Sequence, residues 1–140
     1  KEKELEKLYG PTMKYSYGCA PGECDIYVYR ITQVNEDGHV VELPWPQVKA
    51  RCKELSIKHV PEASTLPIIY NGDKDIILSF CDQFLDKPST IDRSHIEEGV
   101  CIRVESEGPL QILKQKGFLF RALESRAQEL ETYEDIEQAS

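Results

Sequence analysis

The chain has 140 residues, with 17 Lys and Arg against 25 Asp and Glu, for a formal net charge of −8. That balance excludes a surface that holds nucleic acid by bulk electrostatics, so any such contact must be a local patch. The length suits a single domain spanning residues 1–140, or a piece of a larger one, and no apolar run reaches the ~20 residues of a membrane helix. No signal-peptide pattern opens the chain. Five cysteines, Cys19, Cys24, Cys52, Cys81 and Cys101, include no C-x-x-C pair and no zinc spacing. The expectation is a soluble, cytoplasmic protein with no membrane contact, whose thiols stay reduced and in which Cys19 and Cys24 are ordinary loop thiols.

Taken in order, Lys1 to Leu8 alternates acids and bases at helical spacing and predicts a short solvated helix. Gly10 to Gly22 holds prolines and glycines that forbid a long regular element, yet it carries Tyr9, Met13, Tyr15 and Tyr17. A structured loop lying over something is expected there. Asp25 to Val34 is rich in β-branched and aromatic residues and reads as the clearest strand. Asn35 to Gly38 turns it into a second strand over His39 to Leu43, giving an antiparallel hairpin.

Pro46 suits the first turn of a helix with Val48, Cys52 and Leu55 on its apolar stripe, ended by Ser56-Ile57. His59 to Pro61 is a strand stub at most, and Leu66 to Tyr70 reads as a strand closed by Asn71-Gly72-Asp73. A second helix runs from Lys74 to about Leu85 with Ile77, Cys81, Phe84 and Leu85 inward. Val100, Ile102 and Val104 then alternate with Cys101 and Arg103, and Ile112, Lys114 and Lys116 share the parity of a following strand. Ser106 to Pro109 supplies the reversal. A closing helix covers Leu119 to Leu130, with Leu119, Leu123 and Leu130 inward and Glu124, Arg126 and Gln128 outward, before an acidic tail. No internal repeat is present.

One constellation has a physical story. Lys114 and Lys116 on one strand face suit an anionic ligand such as a phosphate, and the Glu98 carboxylate suits a divalent metal bridging to it. The competing reading is an exposed strand face beside a solvated glutamate. Tyr27 and Tyr29 are rings that can stack on a base or simply cover a sheet. His39, His59 and His95 are scattered, with no nucleophile and acid arranged around them, and read as structural or exposed.

Glu98-Gly99-Val100-Cys101-Ile102-Arg103 resembles the E-G-V-V-I-R motif of covalent nucleotidyltransferases, and Leu113-Lys114-Gln115-Lys116 resembles their K-x-K motif. Asp25-Ile-Tyr-Val-Tyr-Arg-Ile31 is similar to the D-F-Y-V-F-D-I strand of ATP-dependent RNA ligases, and Tyr9-Gly10-Pro11 with Tyr17-Gly18 is similar to their E-x-Y-G-P-type segment. Order and spacing agree from about Tyr9 to Glu124. The resemblance implies an α+β fold with a mixed, mainly antiparallel sheet flanked by helices. It also implies ATP or AMP and Mg2+ as cofactors and nucleic-acid ends, above all RNA, as partners. Glu98 is then the metal-binding glutamate, Lys114 and Lys116 contact the nucleotide phosphates, and Tyr29, with Tyr27 second, offers a ring to adenine.

Three departures accompany this likeness. The family's nucleophilic lysine sits in a K-x-D/N-G motif near the start of the domain, and no such motif occurs. Lys7 stands where the E-x-Y-G glutamate belongs unless the alignment slips to Glu6, and Arg30 replaces a usual aspartate. The chain is therefore expected not to form lysyl-AMP by itself. It would be the C-terminal part of a ligase domain that works with a missing N-terminal segment. The alternative is a reduced relative acting as a non-catalytic nucleotide- or protein-binding module.

Overall fold

The computed structural model describes residues 3, 4, 7, 15–65, 68–106 and 108–126. Their order is β1 (Tyr27–Val28), β2 (Thr32–Val34), β3 (Val40–Glu42), α1 (Trp45–Glu54), β4 (Lys58–His59), α2 (Lys74–Cys81), a 3₁₀ turn (Asp82–Phe84), β5 (Gly99–Val104), β6 (Gln111–Lys116) and α3 (118–126). The class is α+β. Described residues of Lys1–Gly18, Ile68–Ile102 and Leu113–Ser140 form one compact unit, and Cys19–Pro67 with Arg103–Ile112 form a second.

In the second unit, β2 and β3 pair antiparallel with Thr32 opposite Glu42 and Val34 opposite Val40. Gly38 closes their turn at φ +80°, and the Asn35 side chain accepts the His39 N–H at 2.8 Å. The expected strand over Asp25 to Val34 is in fact broken. β1 pairs in parallel with β4, Tyr27 against Lys58 and Val28 against His59, whereas β2 pairs with β3. Between them the Ile31 carbonyl takes the Leu43 N–H at 3.0 Å, and the Tyr29 carbonyl takes the Arg103 guanidinium at 3.1 Å. The strand thus changes partner halfway, which residue propensity does not register.

Pro46 stands in the first turn of α1, as expected, and Val48 and Cys52 are buried. Leu55, expected on the same stripe, is 66% exposed because it lies past the last helical residue. Leu43, Val48 and Cys52 form the core, with Val28, Ile31 and Trp45 packed against it. Arg103 lies over the Trp45 ring at 5.6 Å and also donates to the Leu43 carbonyl at 3.2 Å. The arginine of the E-G-V-x-I-R stretch is therefore a brace across the backbone of this unit.

In the first unit, Asp73 caps α2 by accepting the Asp75 N–H at 3.0 Å, and Ile77 and Cys81 are buried as expected. The helix tightens to a 3₁₀ turn at Asp82 rather than continuing as α-helix to Leu85; Phe84 and Leu85 are half-buried. Residues 68–70 make no strand, and Ile69 is 94% exposed: among the described residues no strand pairs with them, and β-propensity without a partner forms nothing. Residues 66–67 of that expected strand lie outside the described residues, as do most of the N-terminal helix, Tyr9, Met13 and everything after 126. Buried among the described residues of this unit are Ile77, Cys81, Ser89, His95, Ile96, Gly117 and Phe120.

β5 and β6 pair as the alternation predicts. Their connection, residues 105–110, is far shorter than the dozen or so residues a parallel crossover needs, so they form a hairpin. The pairing is mixed and mainly antiparallel, as expected, and is divided into three two-stranded sheets among the described residues. All five cysteines are free thiols, and no described helix is long and apolar enough to cross a membrane.

Arg103→Ala removes two hydrogen bonds to backbone carbonyls and a stacked guanidinium. We expect a loss of about 1–3 kcal/mol, measured by denaturant unfolding followed through the fluorescence of Trp45, the chain's single tryptophan.

Candidate phosphate and metal site

Space dictates the glycine after Glu98. A Cβ at position 99 would lie 2.1 Å from the Gln115 carbonyl oxygen and 2.8 Å from the Lys116 Cα. Only glycine lets the start of β5 approach the end of β6 so closely. The Gly117 N–H then donates to the Glu98 carbonyl at 2.9 Å. Glu98 and Lys116 are thereby held at the same end of the hairpin, with Lys114 two residues back along β6.

Lys116 is half-buried. Its ammonium lies 3.1 Å from Glu124 Oε2 and 5.3 Å above the Phe120 ring, both on α3. Glu124, expected on the outer helix face, turns inward because Lys116 gives it a partner. Phe120 is buried while Leu119 and Leu123 are half-buried, so the stripe expected on α3 is rotated by about one residue. The start of α3 is fixed by Asp86, whose carboxylate accepts the Leu119 N–H at 2.9 Å. Lys114 is exposed and has no ion-pair partner among the described residues.

Glu98 is half-buried, and its Oε1 accepts the Tyr17 hydroxyl. Tyr17 stands at φ +49°, a left-handed conformation that a bulky residue rarely adopts. Asp92 holds it there: Oδ2 accepts the Ser16 hydroxyl at 3.1 Å and the Gly18 N–H at 2.8 Å, one on each side of Tyr17. The Asp92 Oδ1 accepts the Ser94 N–H at 2.9 Å. The Ser94 bonds, with those from Gly18 and Ser16, lower the Asp92 pKa to about 2.

Beneath Tyr17 lies His95, 1% exposed, with the Tyr15 ring at 4.8 Å and the Tyr17 ring edge-on at 4.7 Å. Among the described residues its Nε2 has no hydrogen-bond partner; Asp92 Oδ2 stands 4.0 Å away. Burial raises the pKa of both Tyr15 and Tyr17, reinforced by the Glu98 carboxylate, so both remain phenols at neutral pH. Of the loop expected over Gly10 to Gly22, residues 10–14 lie outside the described residues, and residues 15–18 set two tyrosines over a histidine. Sequence reasoning placed His95 nowhere in particular and passed over Asp92; the one available signal was Asp92-Arg-Ser94, the spacing of an Asx turn.

The two rings assigned to adenine belong to the second unit. The Tyr27 ring is half-buried under the Lys58 ammonium at 5.2 Å, and Lys58 is itself paired with Asp25 at 2.5 Å. Tyr29 is 61% exposed. Arg30, which stands where an aspartate was expected, makes a two-pronged bond to Glu42 through Nε at 2.8 and 3.0 Å. Its charge is answered within its own unit.

No group of three or more His, Cys, Asp or Glu able to hold a metal occurs among the described residues. Magnesium commonly needs only one or two carboxylates, with waters and substrate phosphates completing its shell. Glu98, whose Oε2 is not engaged by Tyr17, fits that mode and does not fit an all-protein cage.

The chain matches the family described as RNA ligase over residues 6–116. It belongs to the RNA ligase family, and its function is of the RNA-ligase type. The matched span takes in Tyr17, Tyr27, Tyr29, Asp92, Glu98, Lys114 and Lys116. No curated protein and no solved structure matches the chain.

The Asp92 clamp carries a pH dependence of known sign. Its folded pKa, about 2, lies below the ordinary 3.8, so its contribution is present above about pH 3.8 and is lost as pH falls toward 2. We expect the near-ultraviolet dichroism of the tyrosines to relax across that window in the wild type, and Asp92→Asn to lack this transition.

Proposed function

We propose that this chain holds a nucleotide by its phosphates at the Glu98–Lys116 end of the β5–β6 hairpin, in ATP-dependent joining of RNA 5′-phosphate and 3′-hydroxyl ends. The observation that carries this reading is Lys114: an exposed ammonium without an ion-pair partner among the described residues, two residues from Lys116, in a chain of net charge −8. Lys49, Arg51 and Lys58 are neutralised by Glu62, Glu54 and Asp25. Lys53, Lys74, Lys87 and Arg93, like Lys114, have no ion pair among the described residues, but Lys114 alone of these lies on β6 two residues from Lys116. A phosphate taken from water needs matched positive charge and donors, which Lys114 and Lys116 supply.

The roles divide by chemistry. Lys114 is the free donor. Lys116, already oriented by Glu124 and Phe120, is the placed one, able to share its three N–H donors between Glu124 and a phosphate oxygen. Glu98 would hold Mg2+, which supplies neutralising charge where negative charge builds up on the phosphates. Loss of Lys114 removes a charged hydrogen bond, so Lys114→Ala should weaken ATP binding about tenfold or more, read by calorimetric titration with Mg2+ present. If wild type and Lys114→Ala bind ATP equally poorly, the chain is a non-catalytic module and this reading falls.

A second reading concerns the nucleophile. The family match opens at residue 6, and Lys7-Leu8-Tyr9-Gly10 just inside it departs from K-x-D/N-G only at the tyrosine. On this reading the Lys7 amine attacks the α-phosphorus of ATP, the bond to the bridging oxygen breaks, pyrophosphate leaves and AMP stays on the lysine nitrogen. Incubation with α-labelled ATP and Mg2+ separates the two cases. Label on the wild type and none on Lys7→Ala assigns the attack to Lys7; an unlabelled wild type upholds the expectation that this chain forms no lysyl-AMP on its own.

A further inference from the structure

We propose that Tyr17 is a positioning residue for Glu98, locked in place by Asp92. The inference rests on the reading that Glu98 is a metal-binding carboxylate.

A tyrosine in the left-handed region costs energy and persists only where its surroundings fix it. Here three things do so. Asp92 Oδ2 bonds the residues on both sides, Ser16 and Gly18. The ring packs edge-on against the buried imidazole of His95. The hydroxyl bonds Glu98 Oε1, a residue 81 positions away in the chain. Nothing in the local sequence of Tyr17 asks for this backbone; the long-range contacts do.

The consequence for Glu98 is geometric. Its terminal carboxylate torsion is soft, and a carboxylate free to rotate loses that freedom when it binds a cation. The Tyr17 hydroxyl removes the freedom beforehand by taking one oxygen and leaving Oε2 for the ion. Gly99 fixes the backbone beneath Glu98 by its close approach to Gln115 and Lys116, and Tyr17 fixes the head group. Asp92 acts one step further back, through Tyr17 alone.

The test is Mn2+ binding to the full chain with saturating AMP, followed by water-proton relaxation, in wild type, Tyr17→Phe, Asp92→Ala, the double variant and Glu98→Gln. Tyr17→Phe deletes one oxygen and keeps the ring on His95, so it should fold, as a thermal melt verifies. We expect it to weaken Mn2+ binding about fivefold, Asp92→Ala to do the same, and the double variant to be no weaker than either single one, because both act through one bond. Glu98→Gln should lose the site. Wild-type affinity in Tyr17→Phe alongside loss in Glu98→Gln overturns the positioning role and leaves the metal reading standing. Unchanged binding in Glu98→Gln, or no Mn2+ site in the wild type, overturns the metal reading and the positioning role with it. Additive losses in the double variant overturn the claim that Asp92 works through Tyr17.

Discussion

The close approach of two backbones at Gly99 is the constraint on which the candidate site depends. With a Cβ 2.1 Å from the Gln115 oxygen, no side chain is tolerated there, and the start of β5 and end of β6 meet as only a glycine allows. That contact, with the Gly117 N–H on the Glu98 carbonyl, places a carboxylate and an ammonium on neighbouring backbone. A second glycine continues the device: a Cβ on Gly117 would lie 2.9 Å from Asp86 Oδ1, the atom that also accepts the Leu119 N–H. The start of α3 is thereby fixed, and with it Phe120 and Glu124, which hold Lys116.

Around this hairpin the charges sort themselves by distance. The whole chain is acidic, so a general attraction for polyanions is absent, and binding must come from a few donors in fixed places. Lys116 is held by one carboxylate and one ring, Lys114 by none among the described residues, and Glu98 by a phenol rather than by a cation. A carboxylate bonded to a neutral donor keeps its full negative charge, whereas one paired with a lysine would not attract a metal ion as strongly. On the proposed reading, this separation of Glu98 from a salt bridge is what would let the same end of a hairpin hold both a cation and an anion.

Much of this was legible in the sequence where chemistry is local. Alternation gave β5 and β6, Asn35 to Gly38 gave the β2–β3 turn, Pro46 gave the start of α1, and the ordered motifs gave the RNA ligase family. What escaped was set by partners distant in the chain. Propensity drew one strand over Asp25 to Val34, but β4 and β3 divide it between them, and Arg103 takes the carbonyl left in the gap. Leu66 to Tyr70 has strand-forming residues, yet residues 68–70 make no strand. Tyr17 gave no sign of its left-handed backbone, because Asp92, His95 and Glu98, which impose it, lie more than seventy positions away. His95 looked scattered for the same reason: burial is a property of what folds over a residue.

The central claim is that a nucleotide's phosphates sit at the Glu98–Lys116 end of the hairpin. The most direct measurement is a nitrogen-resolved amide titration of the isotopically labelled chain with ATP and Mg2+. The account predicts that the largest shifts fall on residues 97–99 and 114–117. Shifts confined to the β2–β3 hairpin, residues 32–42, with those amides unmoved, would contradict it.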